Sequence, residues 1–495
     1  MAITLIIIYT TFMFFILGYS LVQANLIYHY LQAHNRKWKN TADEHSGFRP
    51  NVTIQLPIYN ELYVVERLID TTCAIEYPLE KLEIQVLDDS TDESVEITAR
   101  KVAEWKAKGI NIKHIRRPIR EGYKAGALKY GLEIADGEYV AIFDADFVPE
   151  TDFLLKTIPH FQNPKVGMVQ TRWDHMNRTY SLLTKAQAFG LDAHFTIEQK
   201  GRNSAGFFIT FNGTSGVWRK ECILDAGNWQ SDTITEDMDL SYRAQLKGWK
   251  FIYLEDVSSP AELPVTMDAY KSQQFRWNKG AAECTKKNLL KVWRTPGVSL
   301  GEKIHAAFHM LGNFNFVAIV VTAIISVPLL IIKSEHPEYR LFFQLASVFV
   351  LGFFILGFYY WISNKRDSIH KEMNVAEFFV DFIFFLSVSM GMSLHNAIAF
   401  IAGLMGFKSS FIRTPKFNLA LKDASWAKNK YTSKGIKPLT ILEGLMVCYF
   451  LWALYLAFKL KDFGLVPFHG MLLFGYCYVF FMSLSQSVAI SFSKG

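Results

Sequence analysis

Residues 138 to 147 read EYVAIFDADF, a short apolar run that ends in two aspartates one position apart. The run predicts a buried strand, and its last residues predict a strand end that carries two carboxylates. Similar runs precede it, and helical patterns near 61–75, 92–108 and 123–135 separate them. The earlier runs are VTIQLP (52–57), EIQVLD (83–88) and NIKHIR (111–116). This alternation predicts an α/β domain with a mostly parallel sheet.

Acids at the ends of these strands are the first candidates for a functional site, because such sheets bind ligands beyond the carboxyl ends of their strands. Asp88 and Asp89 end the second strand, and Asp144 and Asp146 end the fourth. Two carboxylates one residue apart can face one divalent ion, Mg²⁺ or Mn²⁺, which water and phosphate oxygens complete. A solvated turn capped by Asp is the alternative, since a chain of this length contains D-x-D by chance about once or twice.

The composition is that of a membrane protein. Half of the 495 residues are hydrophobic and 20% are charged. Residues 3–31 contain no Asp, Glu, Lys or Arg over more than the roughly 20 residues that cross a bilayer. No basic stretch precedes them and no small-residue cleavage site follows them, which argues against a cleaved leader. We therefore expect a retained anchor over residues 1–34. Further spans are predicted in pairs within 304–363 (at 304–332 and 341–363) and within 439–492 (at 439–460 and 468–492).

Basic residues predict the orientation. They cluster after the anchor (36–39), after the third apolar stretch (365–371) and throughout 408–437. By the positive-inside rule these regions and the α/β domain face the cytoplasm. The apolar stretch 375–405 then has cytoplasmic flanks on both sides, and it carries polar residues such as Asp381. We therefore expect an interfacial or re-entrant helix there, and five true spans in all.

Cysteine usage and net charge exclude some classes of protein. The five cysteines are odd in number and scattered, without a C-x-x-C pair. This argues against a disulfide framework or a structural zinc site and fits a reducing compartment. The net charge of +6 is modest for this length, and we expect no nucleic-acid partner.

TITEDMDLSYRAQLKGW (233–249) places Glu236 and Asp237 at the start of a predicted helix. Helix capping alone could explain acids there. The alternative is catalytic: a positioned carboxylate can take the proton of an attacking alcohol, which is worth about 10²–10⁴ in rate.

SQQFRWNKG (272–280) lies inside a basic amphipathic segment, 265–303, that we expect at a lipid surface. Arg276 can clamp a diphosphate with two hydrogen bonds, and Trp277 offers a flat apolar face to a sugar ring. Gln273 supplies an amide for hydroxyl groups. A membrane-interface belt is the alternative for any one of them, and it explains the set poorly.

Two further sites are weaker candidates. Lys124, in GYKAGAL (122–128), opens a predicted helix and is a candidate phosphate contact. His194 could form a metal site with Asp192 and Glu198, but a buried polar network is the favoured interpretation.

Taken in order, Asp-Asp after a strand, D-x-D, T-E-D and Q-x-x-R-W resemble the processive family 2 glycosyltransferases of the cellulose synthase superfamily. GYKAGALKYGL, FNGTSGVWR and YKSQQFRWNKG resemble most the plant cellulose-synthase-like A group, the mannan and glucomannan synthases. The resemblance covers most of residues 50–295. It implies a GT-A fold over residues 48–264, which is Rossmann-like with a mixed sheet, joined to a helical membrane bundle. It also implies inverting transfer from an NDP-sugar with Mg²⁺ or Mn²⁺.

The resemblance also assigns roles to the motif residues. It implies a metal site on Asp144 and Asp146, and a catalytic pair in which Asp237, beside Glu236, is the base. The implied nucleotide-sugar site consists of Asp88, Asp89, Lys124, Asp144, Gln273 and Arg276. The implied acceptor site consists of Trp277 and the run Phe211, Asn212, Gly213 and Thr214. Residues 408–420 resemble a gating loop with contacts from Phe411, Arg413, Thr414 and Lys416, although Arg413 and Pro415 depart from its pattern.

These observations predict a membrane-integrated hexosyltransferase that polymerises a β-linked polysaccharide of the β-glucan or β-mannan/glucomannan type. UDP-glucose and GDP-mannose are the candidate donors. We expect the catalytic domain on the cytoplasmic side of an inner or plasma membrane, with the growing polysaccharide passed outward through the spans. Membrane lipids and an export subunit on the outer side would be further partners. The alternative is non-processive transfer of a hexose to a membrane lipid, because lipid glycosyltransferases also carry Q-x-x-R-W.

Overall fold

The computed structural model describes residues 1–35, 47–366, 374–408 and 437–493, together with Thr414, Lys416 and Asn418. An α/β domain follows the N-terminal helix, and long apolar helices follow the domain. The strands are β1 (Val52–Ile58), β2 (Leu82–Asp88), β3 (Ile112–Ile115), β4 (Tyr139–Ile142), β5 (Val166–His175), β6 (Gly216–Arg219) and β7 (Lys250–Ala261).

The helices of the N-terminal segment and the domain are α1 (Ala2–Asn35), α2 (Val65–Cys73), α3 (Ser94–Ala107), α4 (Tyr123–Glu133), α5 (Phe153–Thr157), α6 (Leu182–Ala193), α7 (Gln199–Ala205), α8 (Lys220–Asp225) and α9 (Glu236–Leu246). The later helices are α10 (Met267–Arg294), α11 (Leu300–Met310), α12 (Phe314–Glu335), α13 (Arg340–Leu345), α14 (Val350–Arg366), α15 (Val375–Gly391), α16 (Ser393–Met405), α17 (Pro438–Leu460) and α18 (Val466–Ser493).

The seven strands form one mixed sheet in the order β3-β2-β1-β4-β6-β5-β7. Strands β1 to β4 are parallel, β6 is antiparallel to both of its neighbours, and β5 and β7 are parallel to each other. The four predicted strands are present, and the mixed sheet implied by the resemblance is confirmed. The chain leaves β1 toward β2 on one side and returns to β4 on the other. This reversal opens a crevice at the carboxyl ends of β1 and β4.

The domain core buries the central strands of the sheet. Every residue of β2 is buried, and so is every residue of β4. Helices and apolar clusters cover both faces of the sheet. On one face of β1 and β2 the buried side chains are polar and pair with each other: Thr53 donates to Glu83 at 2.6 Å, and Gln55 donates to Gln85 at 3.1 Å.

Within the described residues, five helices are long and apolar enough to cross a membrane. They lie where the five spans are predicted, at Ala2–His34, Phe314–Glu335, Pro337–Lys365, Pro438–Leu460 and Val466–Ser487. Residues 375–405 form a bent pair, in which α15 and α16 meet at 49°. The membrane topology itself stays a prediction.

The predicted stretch 304–332 is not one helix, and this expectation is corrected. Its first residues belong to α11, which ends at Met310, and α12 begins at Phe314. Ser299 and Glu302 form a reciprocal capping box that starts α11. Apolar composition alone does not detect such a turn, because both helices contribute to the same hydrophobic window.

Helix α10 joins the two parts of the protein. The Thr266 side chain caps it by accepting from the backbone N–H of Ala269 at 3.3 Å. One face of α10 packs on α9 and another packs on α16. The location of α10 at a lipid surface remains a prediction.

Candidate active site

A cleft of about 1350 Å³, including space that opens to solvent, lies at the carboxyl ends of β1 and β4. This is the crevice that the strand order creates. The residues singled out from the sequence that line the cleft are Asp89, Lys124, Asp144, Asp146, Asn212, Gly213, Glu236, Asp237, Gln273, Arg276, Trp277, Thr414 and Lys416.

Asp144 and Asp146 each face a lysine in the cleft. The carboxylate of Asp144 accepts from Lys124 Nζ, which also donates to the carbonyl of Gly213 at 2.8 Å. Asp146 Oδ2 lies 2.5 Å from Lys416 Nζ. Each lysine engages one oxygen and leaves the second oxygen of its carboxylate for another ligand.

This donor set fits Mg²⁺ or Mn²⁺, because both ions prefer oxygen ligands and are often held by one or two carboxylates plus phosphate oxygens. In the part of the chain that the structure describes, no group of three or more His, Cys, Asp or Glu side chains could hold a metal. A divalent ion on Asp144 and Asp146 would therefore take its remaining ligands from substrate and water.

Lys124 reaches the acids from the first turn of α4. Gly122 before it has a φ of +68°, a left-handed conformation that glycine adopts readily and that starts the helix at Tyr123. Burial opposes the charge on Lys124, but Asp144 and the two acids of α9 outweigh it and raise its pKa. Lys124 therefore remains a fixed cation.

Glu236 and Asp237 form the first turn of α9, deep in the same cleft. Burial raises the pKa of Glu236 to about 7, and the charge of Asp237 adds to this effect. Burial also raises the pKa of Asp237 to about 6, against the opposing effect of Lys124. The raised pKa makes this carboxylate more basic than an exposed one, as a general base requires.

Gly213 allows the close packing around this pair. A Cβ atom at Gly213 would lie 3.1 Å from Asp237 Oδ2, and its φ of +80° also favours glycine. The backbone at Gly213 therefore passes close to Asp237, and the carbonyl of Gly213 accepts from Lys124.

Gln273, Arg276 and Trp277 share one face of α10, because they are three and four residues apart. Arg276 Nη2 donates to Thr414 Oγ1 at 2.8 Å. Burial lowers the pKa of Arg276 to about 10, while Asp144 and Glu236 oppose that change. Arg276 is thus a cation directed at the acidic part of the cleft. The ring of Trp277 lies 6.5 Å from that of Trp173.

The two strand-end acids of β2 have different positions. Asp89 lines the cleft, and Arg117 holds it with two hydrogen bonds of 2.5 and 2.7 Å. Asp88 is 2% exposed and does not line the cleft. It accepts from the backbone N–H of Ser90 and pairs with His114 Nε2, both at 2.8 Å. Asp88 thus fixes the loop after β2.

The FNGT run is also divided. Asn212 and Gly213 line the cleft, whereas Phe211 is buried in the core with its ring edge-on to Trp218. Thr214 is buried too, and its hydroxyl accepts from the backbone N–H of Asp144 at 2.9 Å. Phe411 and Arg413 of the expected gating loop lie outside the described residues.

Sequence reasoning missed the arginines that follow β3. Arg117 positions Asp89, and Arg120 lies with its guanidinium 3.4 Å from the centre of the Tyr59 ring. Arg120 and Tyr59 both line the cleft. Ligands bind beyond the carboxyl ends of parallel strands, and this rule could have pointed to these basic residues as well as to the acids.

The polar network expected around His194 is present. His194 Nδ1 lies 2.9 Å from Glu198, whereas Asp192 pairs with Arg178 at 2.6 Å.

The chain is similar to several known glycosyltransferases. The profile of the glycosyltransferase-like family 2 matches residues 50–280. Probable glucomannan 4-beta-mannosyltransferase 4 of Oryza sativa subsp. japonica is 46% identical over 282 residues, which cover 56% of this chain and 51% of the relative. Glucomannan 4-beta-mannosyltransferase 1 of Cyamopsis tetragonoloba is 38% identical over 423 residues, which cover 81% of this chain and 76% of the relative. The aligned region thus spans about half of the rice protein's length.

Among solved structures, the mannosyltransferase PcManGT from Pyrobaculum calidifontis, in complex with GDP-Man and Mn²⁺, superposes with a TM-score of 0.55. The superposition covers 82% of this chain and 100% of that one, at 20% sequence identity. At this identity the likeness shows a shared fold.

Proposed function

The chain belongs to the family 2 glycosyltransferases, in the group that contains the glucomannan 4-beta-mannosyltransferases, and from this premise we propose that it extends a β-linked hexose polysaccharide from a nucleotide sugar. One observation carries the proposal. The acids that follow β4, the acids of α9 and the Gln, Arg and Trp of α10 converge on a single cleft. The expected chemistry needs all three sets together.

Asp237 is the proposed base. Its raised pKa of about 6 suits it to take the proton of an acceptor hydroxyl as that oxygen attacks the sugar carbon. Attack from the face opposite the leaving diphosphate inverts the configuration. Glu236 has a raised pKa of about 7, so this buried pair retains a proton more readily than two separate carboxylates would.

Lys124 and Arg276 are the proposed contacts for the donor diphosphate, because both are cations directed at the acidic part of the cleft. A divalent ion held by Asp144 and Asp146 would neutralise charge that develops on the leaving diphosphate. Trp277 supplies an apolar face for a sugar ring, and Asn212 and Gly213 lie in the same cleft.

GDP-mannose is the proposed first donor, with UDP-glucose second. The relatives are named as glucomannan mannosyltransferases, and the matching archaeal structure was solved with GDP-Man and Mn²⁺. The basic clusters support a cytoplasmic catalytic domain. Helix α10 lines the cleft and packs on α16, so the cleft lies next to the apolar helices, and export of the polymer between those helices is part of this proposal.

The test uses the full chain in detergent with Mn²⁺ or Mg²⁺ and offers GDP-mannose, UDP-glucose and UDP-N-acetylglucosamine separately. Nucleotide release and product length are both measured. We expect long β-mannanase-sensitive polymer from GDP-mannose. Short product that forms only with added lipid would replace this proposal with transfer to a lipid acceptor.

The matched pair Asp237→Asn and Asp136→Asn tests the base. Asp136 is exposed and pairs with Lys113 at the domain surface, so Asp136→Asn should keep full activity. Asp237→Asn should lower kcat by about 10²–10⁴. Equal activity of the two variants would refute the role of Asp237.

A further inference from the structure

Asn212 is held in the cleft from two sides by one unusual helical turn. Residues His194–Glu198 form a π-helical turn between α6 and α7, closed by the backbone N–H of Gln199 donating to the carbonyl of His194. This wider turn places residues 194 and 199 nearly one above the other, which a regular α-helix does not. Both side chains therefore reach the Asn212 amide.

The carbonyl of Thr210 determines the direction of these hydrogen bonds. A carbonyl only accepts, so the Gln199 atom that lies 3.1 Å from it is the amide nitrogen. The same nitrogen donates its second hydrogen to Asn212 Oδ1 at 2.6 Å. The amide nitrogen of Asn212 is thereby turned toward His194, 3.3 Å from Nε2.

The tautomer of His194 follows from this orientation. Nε2 accepts from Asn212, so the ring carries its hydrogen on Nδ1 and donates it to Glu198 Oε2 at 2.9 Å. Glu198 also accepts from Arg202 at 3.0 and 3.2 Å. Burial favours the neutral form of Glu198, but Arg202 and His194 outweigh it and hold the pKa well below its usual range. The carboxylate therefore stays ionised.

We propose that His194 and Gln199 are positioning residues that lock the Asn212 amide with one N–H available to the cleft, where it donates to an oxygen of the acceptor sugar. His194 uses one N–H of this amide. Among the described residues no other group accepts the second, and Asn212 lines the cleft beside Asp237. A fixed donor selects an acceptor that presents an oxygen lone pair at this point. The inference rests on the proposed function.

The first test reverses the polarity at Gln199. Gln199→Glu keeps the shape but cannot donate to Thr210 or Asn212, so the amide of Asn212 should turn over. With GDP-mannose and mannotetraose as probes and the full chain in detergent, we expect the KM for mannotetraose to rise about tenfold. The KM for GDP-mannose and the slow release of nucleotide to water should stay unchanged. Gln162→Glu, the same change at an exposed position of the domain, should alter neither KM.

A second pair of variants covers the case in which Gln199→Glu does not fold. His194→Phe fills the space of the ring but cannot accept from Asn212, whereas His194→Gln keeps an acceptor oxygen. His194→Phe should raise the acceptor KM about tenfold, and His194→Gln should restore it to within about threefold. A purely structural role would lower kcat and both affinities together.

The outcomes are distinguishable. Equal changes in the donor and acceptor KM, or a His194→Gln variant as poor as His194→Phe, would overturn the proposed positioning while the transferase activity stands. If the unsubstituted chain transfers sugar to neither mannotetraose nor cellotetraose, the proposed function fails, and the positioning role fails with it.

Discussion

An ion pair between α10 and α17 gives a direct test of whether the long apolar helices hold α10, which lines the cleft, in place. Lys271 Nζ lies 2.7 Å from the Glu443 carboxylate and 2.9 Å from Ser483 Oγ. Lys271 is 5% exposed and Glu443 is fully buried. Water therefore screens neither charge.

Removing one partner leaves the other charge buried without compensation, which costs about 3–5 kcal/mol. Replacing both partners with apolar residues of similar volume is often neutral or stabilising. We therefore expect Lys271→Met and Glu443→Met each to lower the melting temperature strongly. The double variant should return close to the original value, so the two single costs imply a coupling energy of about 6–10 kcal/mol.

The assay is thermal unfolding of the full chain in detergent, followed by tryptophan fluorescence and by nucleotide release after heating. Lys108→Met is the control, because it breaks the 2.7 Å pair with Glu104, in which the two side chains are 52% and 46% exposed. This control should cost less than about 1 kcal/mol. The reasoning is refuted if Lys271→Met costs no more than Lys108→Met, or if the double variant is as unstable as the worse single one.

Three further results are expected. Activity should fall as the pH drops through about 6, because protonation of Asp237 removes the proposed base. Lys124→Met should move this fall to higher pH, because Lys124 lowers the pKa of Asp237. A pH–rate profile of nucleotide release measures both effects, and an unmoved profile in the Lys124 variant would contradict the second. Gly475→Ala should destabilise the protein by about 1–3 kcal/mol, because a Cβ there would lie 1.9 Å from the Ser387 carbonyl. Gly470→Ala on the same helix meets nothing within 4 Å and should be neutral in the same thermal assay. Excess EDTA should abolish transfer, and Mn²⁺ should restore it. Full turnover in EDTA would exclude a required metal on Asp144 and Asp146.

The sequence predicted β1 to β4 because short strand-like runs alternate there with helical patterns. It did not predict β5, β6 and β7. Strand β7 carries acids and a proline, and its pairing with β5 contains irregular register. Partners of this kind depend on distant parts of the chain and leave no local pattern.

The site shows the same division. Acids at strand ends could be found from the order of strands and helices. The separate positions of Asp88 and Asp89 could not, although successive side chains near a strand end point in opposite directions. The π-helical turn at residues 194–198 was missed as well, because its composition is that of an ordinary helix.

Helix α10 has 28 residues and a length of about 42 Å. This helix supplies one wall of the cleft and also packs on α16. The α/β domain and the apolar helices are therefore not two separate modules. A soluble fragment that stops at residue 264 would keep the sheet but lose Gln273, Arg276 and Trp277. Transplanting this sugar specificity into another scaffold would therefore require moving part of the membrane bundle along with the α/β domain.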